Sequence, residues 1–404
     1  MSLASERDRS PLLLAGIVVL AASLRIGYAC TLPDEPKYAD SHQYLAMAAH
    51  VLAGDGPMIN DERRAFREPA LPVTLAALEW SGLATSRRAQ RVALATIAAL
   101  LPFALWLLAR ALELPSRAAH LAALGAAVWP HQVYFAPLFL GEGLSSLVLV
   151  VAMTALARLQ RAGGAAAALV AGVLLALAIL ARFSLGLVPL ALLVLWPWLA
   201  PPGRRRLLVL VLAGYAVAMA PWWLRNARLF GRFVPHSTHM GLHAWESLGP
   251  EATGAPVADH IEIPPRGDLS ETEWDAMLQR AAFAHVARDP WHAVGLVPVK
   301  VARLWSPVPN DVGHRSTANV AISLASVVPL YALALVGTWR ARRRLLRDLW
   351  PLWLVPSYLT LVHATISFGS VRYRLPAEPF LIVLAAIGLG GPSSGSAPPP
   401  NQQR

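Results

Sequence analysis

Long apolar runs recur along this chain, and they restrict it to folds that cross a lipid bilayer many times. Hydrophobic residues make up 56% of its 404 positions and charged residues only 15%, unlike a soluble domain. Several runs reach the ~20 residues that a transmembrane helix needs. The sequence therefore predicts an all-α polytopic membrane protein with about ten transmembrane helices. The runs cover residues 12–29, 92–108, 118–134, 144–156, 165–180, 185–199, 207–223, 318–339, 349–366 and 375–389.

The distribution of arginine predicts how these helices are oriented. The chain has a net charge of +11, and its arginines cluster in short connections at residues 7–9, 110–117, 158–161, 204–206 and 340–347. All these clusters fall on one side, which the positive-inside rule identifies as cytoplasmic. The outer side then receives two large loops, residues 31–91 and 225–317, and the short segments 131–141, 181–184 and 367–374. The charge therefore orients the protein, and we expect no nucleic-acid partner.

One short apolar run, residues 69–83, has a different predicted position. It contains Pro72 and Glu79, and we predict that it lies along the outer membrane surface. The arginines at 87, 88 and 91 then become exceptions to the positive-inside rule. We treat residues 1–391 as one membrane-embedded domain. The Pro-, Ser- and Gly-rich residues 392–404 are predicted to be a disordered tail.

Two acidic residues in the outer segments are candidates for function. Asp40 precedes a helical pattern that ends at Gly54, so it is expected at or just before the N-cap, where Asp commonly serves only as a cap. Glu142 stands between Gly141 and Gly143 where a span emerges from the bilayer. A carboxylate near hydrocarbon often marks a functional position. The alternative for Glu142 is an ordinary interfacial acid that reaches water.

The loop at residues 225–317 is predicted to carry juxtamembrane helices around a cavity. Ser270 and Glu273 form a capping box that starts one helix. Asp289 and Pro290 end that helix, and a second follows over residues 291–305. Its side chains at Lys300 and Arg303 are available to reach polar groups.

Three histidines in the same loop have the spacing of a metal site. His236, His239 and His243 would share one face of a helix and could bind zinc there. Pro235 and Gly241 argue against a regular helix, so a solvated polar loop is the favoured interpretation.

Two arginines bracket Tyr373 where the last span begins. Arg372 and Arg374 would bind lipid headgroups non-specifically, or grip one phosphate of a bound lipid carrier, because the planar guanidinium matches phosphate oxygens.

Four stretches in this order resemble the membrane-embedded glycosyltransferases of the C-type fold. Within that group the chain is most similar to the bacterial branch related to protein O-mannosyltransferases and lipid A aminoarabinose transferases. It departs from the family pattern where Arg67 is followed by Glu68 rather than Pro, and where HAWESLGP replaces a frequent Gly-Asn pair. The stretches are ADSHQYLAMAAHVLAGDGP with FREPALPVTLAAL, VYFAPLFLGEGL, APWWLRNARLFGRFVP and VRYRLPAEPFLIVLAAIGL.

The resemblance implies an enzyme that transfers a hexosyl or pentosyl group from a polyprenyl-phosphate carrier to a lipid, glycan or protein acceptor. The reaction would occur on the periplasmic face of the bacterial inner membrane. Asp40 would be the general base on the acceptor hydroxyl, with Glu142 as the second catalytic acid. No cofactor is expected, and a divalent cation is left open. The expected substrate-binding residues are Tyr44, Arg67, Arg225, Lys300, Arg303, Arg372, Tyr373 and Arg374, with Arg372 and Arg374 favoured for phosphate.

A membrane transporter or lipid flippase is the alternative from another class. Such proteins place ionisable residues near the bilayer midplane, within repeated halves. Here the predicted spans contain almost no acidic residues, and polar residues concentrate on one face. This asymmetry favours the transferase.

Overall fold

The computed structural model describes residues 3–256, 261–311, 313 and 315–390, and the backbone alone of residues 3–9. Helices dominate this part of the chain, and the β-structure within it is one isolated bridge between Asn60 and Arg63. The all-α prediction is confirmed. The predicted tail at 392–404 lies outside the described residues.

Seventeen α-helices occur in the described ranges. The first nine are α1 (Leu3–Thr31), α2 (Ala39–Ala53), α3 (Ala70–Trp80), α4 (Arg87–Ala98), α5 (Leu101–Ala111), α6 (Ser116–Val128), α7 (Pro130–Phe135), α8 (Glu142–Ala162) and α9 (Ala165–Ala181). The others are α10 (Val188–Leu199), α11 (Leu207–Phe230), α12 (Met240–Leu248), α13 (Glu271–Arg288), α14 (Pro290–Leu304), α15 (Thr317–Leu345), α16 (Pro351–Thr365) and α17 (Glu378–Leu389). Short 3₁₀ helices occupy Phe183–Leu185, Pro202–Arg204 and Val371–Arg374.

Every predicted span is helical, although proline interrupts some of them. The run at 92–108 breaks between α4 and α5, just before Pro102, because proline disrupts the preceding helical turn. The run at 118–134 breaks at Trp129, whose extended backbone suits a residue before Pro130. Among the described residues, five helical stretches are long and apolar enough to cross a bilayer, and four apolar helices are shorter.

Glycine allows the central helices to pack at close range. A Cβ added at Gly172 of α9 would lie 1.9 Å from the carbonyl oxygen of Val211 on α11. In return, a Cβ added at Gly214 of α11 would lie 2.1 Å from the carbonyl oxygen of Leu169. Small residues at such crossings let helix backbones approach each other in membrane proteins. Glycine at these two positions therefore lets α9 and α11 pack backbone against backbone.

The connections predicted to be outer contact one another. The backbone N–H of Thr238 donates to the carbonyl of Ala65 over 3.0 Å, which joins the two large loops. The N–H of Gly369 donates to the carbonyl of Gly254 over 3.0 Å, which ties the segment before the last span to the second loop. The outer segments thus form one continuous structure.

The arginine-rich connections also come together, at the other ends of the helices. Arg161 and Glu113 form an ion pair whose Nη1 and Oε1 atoms lie 2.6 Å apart. The Nη2 of Arg344 donates to the carbonyl of Leu112 over 3.3 Å. The contacts agree with the two groups of connections that the arginine bias predicts.

Two of the arginines that are exceptions to the positive-inside rule donate hydrogen bonds to backbone carbonyls near the end of α1. Arg88 donates to the carbonyl of Cys30 over 3.1 Å, and Arg91 donates to that of Pro33 over 2.9 Å. Carbonyls at a helix C-terminus lack helical partners, and basic side chains often supply them. These arginines therefore have a local structural role in the loop that is predicted to be outer.

The second outer loop contains the predicted helices. The capping box of Ser270 and Glu273 is present at the start of α13, and Asp289 caps α14 by accepting from the N–H of His292 over 3.0 Å. Glu271 reaches the first loop, where its carboxylate accepts from the N–H of Arg64 over 2.8 Å. The two loops are thereby fixed relative to each other.

Candidate active site

A cavity lies where the two outer loops meet the outer ends of the spans. Its walls come from the first turn of α2, the start of α8, the end of α9, α12, the end of α16 and the 3₁₀ helix Val371–Arg374. Asp40 lines this cavity, but not as an N-cap. The helix starts at Ala39 after Tyr38, and no side chain caps it. The expectation of a capping Asp40 is wrong, because its carboxylate turns toward two guanidinium groups.

Asp40 is held by arginines from opposite ends of the chain. The Nη2 of Arg67 lies 2.7 Å from its Oδ1, and the Nη1 of Arg372 lies 2.7 Å from its Oδ2. Burial alone would raise the pKa of the Asp40 carboxyl, but the charges of Arg67 and Arg372 outweigh it and lower that pKa below the usual range. Asp40 is therefore ionised at neutral pH.

Glu142 is fully buried beside Asp40, at the start of α8. Arg372 donates to its Oε1 through Nε, and Arg182 donates to the same oxygen over 3.1 Å. Gly141 permits this approach, because a Cβ there would lie 2.8 Å from the carbonyl oxygen of Ala181. The alternative of an interfacial acid reaching water is thus wrong.

Arg182 is a site residue that the sequence reasoning missed. It begins the turn after α9, contacts Glu142 and lies 4.9 Å from the centre of the Tyr373 ring. The sequence did contain a signal for Arg182. It is the single arginine of the short outer connection at residues 181–184, whereas most arginines of this chain lie in connections on the other side.

Tyr44 and Glu68 join the first loop to the same site. The hydroxyl of Tyr44 donates to Oε2 of Glu68 over 2.7 Å, and the N–H of Phe183 donates to Oε1 over 3.3 Å. Glu68 stands where the resembling family usually has proline. It lines the cavity and links α2 to the turn after α9, a role that the sequence reasoning also missed.

The three histidines of the second loop pack against other side chains and do not belong to a solvated loop. The rings of His239 and His243 lie 5.2 Å apart, between Phe66 at 4.3 Å and Phe368 at 4.6 Å. Burial and the nearby Arg67 lower the pKa of His239 well below its usual value. The expectation of a solvated polar loop is therefore wrong. In the described ranges, no group of three or more His, Cys, Asp or Glu residues has the geometry of a metal site.

Tyr373 completes the site. Its ring stacks on His363, with centroids 4.8 Å apart and an interplanar angle of 13°. Burial raises the pKa of Tyr373 to about 12, so its hydroxyl remains protonated and can donate a hydrogen bond.

Three of the predicted substrate-binding cations, Arg225, Lys300 and Arg303, do not line the cavity. Arg225 donates to the carbonyl of Arg64 over 3.0 Å, Lys300 to Ser247 over 2.9 Å, and Arg303 to the carbonyl of Gly369 over 3.2 Å. These cations hold the outer loops together. Among the predicted cations, Arg67 and Arg372 do line the cavity. Arg182, which was not predicted, lines it as well.

Arg374, favoured for phosphate alongside Arg372, points away from the cavity. It is fully buried, and its Nε lies 2.9 Å from Oε1 of Glu378 on α17. Trp129 and His131 also contact this carboxylate, at 2.6 and 2.8 Å. Glu378 is thus a buried acid inside a predicted span, contrary to the near absence of acids expected there. Its partners make it part of the helix packing.

A divalent cation does not fit the carboxylates of this cavity. Hard cations need several free carboxylate or carbonyl oxygens. Both oxygens of Asp40 and Oε1 of Glu142 already face guanidinium groups. Only Oε2 of Glu142 lacks a partner within the described residues. The arginines occupy the positions that a cation would need.

Comparisons with known proteins bear on the fold. No family model matches the sequence, and no curated protein matches it. Solved structures of the oligosaccharyltransferase from Archaeoglobus fulgidus do match. The apo form aligns over 94% of this chain and 50% of that chain, with 14% identity and a TM-score of 0.58. The complex with an inhibitory peptide and a dolichol-phosphate aligns over 95% and 50%, with 15% identity and a TM-score of 0.60.

A third structure of the same enzyme, a complex with Zn and sulfate, aligns over 94% of this chain and 48% of that chain, with 14% identity and a TM-score of 0.56. The chain spans about half the length of these neighbours. At such identity the likeness concerns the fold alone, and the finer resemblance to O-mannosyl- and aminoarabinose transferases stays a prediction. This multi-pass membrane protein has the C-type glycosyltransferase fold.

Proposed function

We propose that the protein transfers a hexosyl or pentosyl group from a polyprenyl-phosphate carrier to an acceptor hydroxyl. The observation that carries this proposal is the cluster of Asp40, Glu142, Arg67, Arg182 and Arg372 around one cavity at the membrane boundary. It combines a candidate base with cations for a phosphate leaving group. The neighbour bound to a dolichol-phosphate supports a lipid-linked donor.

The guanidinium groups of Arg67, Arg182 and Arg372 are the proposed phosphate site. In the reaction the bond between the anomeric carbon and the phosphate oxygen breaks, and the carrier phosphate leaves with the electron pair. The arginines stabilise the charge that develops on this oxygen. Their planar donors match phosphate oxygens better than a point charge does.

Asp40 is the proposed general base. It accepts the proton of the acceptor hydroxyl while the acceptor oxygen forms the new bond to the anomeric carbon. The guanidiniums that lower the pKa of Asp40 are the ones proposed to bind phosphate. As phosphate draws Arg372 and Arg67 away from the carboxylate, Asp40 becomes a stronger base. Donor binding thereby activates the base.

The proposed location is the outer, periplasmic face of a bacterial inner membrane. The cavity is built from the segments opposite the arginine-rich connections, and the positive-inside rule places the latter in the cytoplasm. Lipid, glycan and protein acceptors all carry hydroxyl groups that suit this chemistry.

The substitution Asp40→Asn tests the proposal. Asn keeps the shape of the side chain but removes the proton acceptor, so the transfer rate should fall by ~10²–10⁴-fold. Asp348→Asn is the control, because Asp348 is half exposed and pairs with Arg344 at the far end of the protein. Purified protein in nanodiscs, radiolabelled carrier and bacterial membrane acceptors provide the assay. Near-normal transfer by Asp40→Asn would exclude Asp40 as the base.

A further inference from the structure

The C-terminal part of α15 presents an exposed stripe that changes from apolar to charged. Leu335 and Trp339 are 71% and 68% exposed, and Arg342 follows one turn later and is also exposed. At 3.6 residues per turn, these three positions fall within about 60° of one another around the helix. We call this surface the α15 stripe: Leu335, Trp339 and Arg342.

The side of α15 opposite the stripe is covered by another helix. A Cβ added at Gly337 would lie 1.8 Å from the carbonyl oxygen of Leu384 on α17, and Ala334 and Ala341 are buried. The stripe therefore faces away from the helix bundle. Since α15 is one of the helices long and apolar enough to cross a bilayer, an exposed apolar surface on it is a surface for lipid.

The length of α15 places the parts of the stripe in different layers of the membrane. Residues 317–339 carry no charged side chain, and at 1.5 Å per residue they span about 35 Å, compared with ~30 Å for the hydrocarbon layer. Trp339 therefore lies at the edge of the hydrocarbon, where tryptophan is enriched. Arg342 and Arg343 follow about 5 Å further along the helix axis, at the depth of the phospholipid headgroups.

The guanidinium groups at this depth have no acidic partner in the described part of the chain. The two acids that the structure describes in the arginine-rich connections are already paired, with Arg161 and Arg344. Arg342 instead lies 4.4 Å from the centre of the Trp339 ring and donates to the carbonyl of that residue over 2.9 Å. These contacts hold its charge at the edge of the hydrocarbon, and Arg343 is exposed beside it.

This arrangement suits the headgroup of an anionic phospholipid. Guanidinium groups match phosphate oxygens, and clusters of basic side chains immediately beyond a transmembrane helix attract anionic lipids. A zwitterionic headgroup carries its own ammonium, whose repulsion by the two guanidinium groups would offset the attraction of its phosphate. The positive-inside bias concerns the side of the membrane on which arginines lie, so it does not account for the position of Arg342 on the lipid-facing side of the helix.

We propose that the end of α15 is a binding site for anionic phospholipid and prefers it to zwitterionic phospholipid. Arg342 and Arg343 bind the headgroup phosphate, and Leu335 and Trp339 contact the upper part of the acyl chains. The inference is independent of the proposed transfer reaction.

The test measures which phospholipid gathers beside the α15 stripe of the full-length protein. A fluorophore is attached through Leu335→Cys in a Cys30→Ser background, because Cys30 is the only cysteine and is exposed. The protein is reconstituted in phosphatidylcholine vesicles with a small fraction of nitroxide-labelled phosphatidylglycerol or nitroxide-labelled phosphatidylcholine, with the nitroxide near the top of the acyl chain. The ratio of the two quenching efficiencies measures the local enrichment of the anionic lipid.

Variants assign the enrichment to the two arginines. We expect phosphatidylglycerol to be enriched by about fivefold for each arginine at low ionic strength, and less in about 1 M salt. Arg342→Gln/Arg343→Gln should remove most of this enrichment. Arg205→Gln/Arg206→Gln is the matched control, because it removes two exposed arginines from another arginine-rich connection and should leave the enrichment at α15 unchanged. The unfolding temperature of each double variant in phosphatidylcholine should equal that of the parent.

Three outcomes would overturn the inference. The first is equal quenching by the two lipids in the parent protein. The second is an enrichment that persists in Arg342→Gln/Arg343→Gln. The third is an equal loss of enrichment in Arg205→Gln/Arg206→Gln, because the preference would then follow the total charge of this side of the protein and not a site on α15.

Discussion

Two arginines separated by a single residue are expected to have different functions, and exchanging each for glutamine tests the assignment of the phosphate site. Arg372 lines the cavity and bridges Asp40 and Glu142. Arg374 is buried against Glu378 and does not line the cavity. The pair provides an internal control, because the two residues share a side chain and a short 3₁₀ helix.

The expected magnitudes follow from the contacts. A charge-assisted hydrogen bond to phosphate is worth ~1.5–3 kcal/mol, so Arg372→Gln should weaken the binding of bare undecaprenyl phosphate by ~10–100-fold. Arg374→Gln leaves the buried carboxylate of Glu378 without its nearest guanidinium. Removing one partner of a buried pair typically costs ~3–5 kcal/mol of unfolding free energy. Carrier affinity should change by less than about twofold in folded Arg374→Gln protein.

The assay measures carrier affinity and thermal unfolding on the same nanodisc samples. Arg372→Gln should have the larger effect on affinity, and Arg374→Gln should clearly lower the unfolding temperature. A folded Arg374→Gln protein that loses as much carrier affinity as Arg372→Gln would refute the division of roles. It would also restore Arg374 as a phosphate ligand.

Three further results are expected. Gly172→Ala should destabilise the protein by ~1–3 kcal/mol or more, because its Cβ would clash with Val211, whereas Gly16→Ala meets no neighbour and should leave the unfolding temperature unchanged. Tyr44→Phe removes the donor to Glu68 and should lower the unfolding free energy by ~1.5–3 kcal/mol; an unchanged unfolding temperature would show that this bond contributes nothing. The protonated form of Glu246 is favoured in the fold, and the stability that this confers is lost as pH rises through its pKa of about 7. Glu246→Gln should therefore raise the unfolding temperature at pH 8 and have little effect at pH 5, and the reverse order would contradict the assignment.

The sequence was sufficient to predict the helical spans and the two groups of connections between them. Span length and arginine bias are properties of short segments, so they can be read without knowing which helices pack together. Asp40 and Glu142 were also identifiable, because acids in an apolar chain stand out near the membrane boundary. The capping role expected for Asp40 was wrong because a local rule cannot foresee Arg372, which lies more than 300 positions away.

The roles of the other candidate site residues could not be predicted from the sequence, because they depend on the local backbone conformation and on contacts with residues far along the chain. Arg372 and Arg374 look equivalent in the sequence. A 3₁₀ helix has three residues per turn, so side chains two positions apart point in different directions, and only one reaches the cavity. Arg182 and Glu68 become site residues through partners 40 and 115 positions away. The spacing of the three histidines suggested a helical metal site, but His239 is the N-cap residue of α12 and not a member of its interior.

The bridge formed by Arg372 also has a consequence for biosynthesis. Glu142 and Arg182 belong to neighbouring spans that leave the ribosome early, whereas Arg372 emerges only just before the last helix. A nascent chain can therefore pair Glu142 with Arg182 but still lacks the guanidinium that joins this pair to Asp40. Assembly of the ion cluster thus coincides with the arrival of the segment that precedes α17. A chain that stopped before this point would lack the guanidinium that bridges Asp40 and Glu142, so its first outer loop would not be joined to the start of α8 through this cluster.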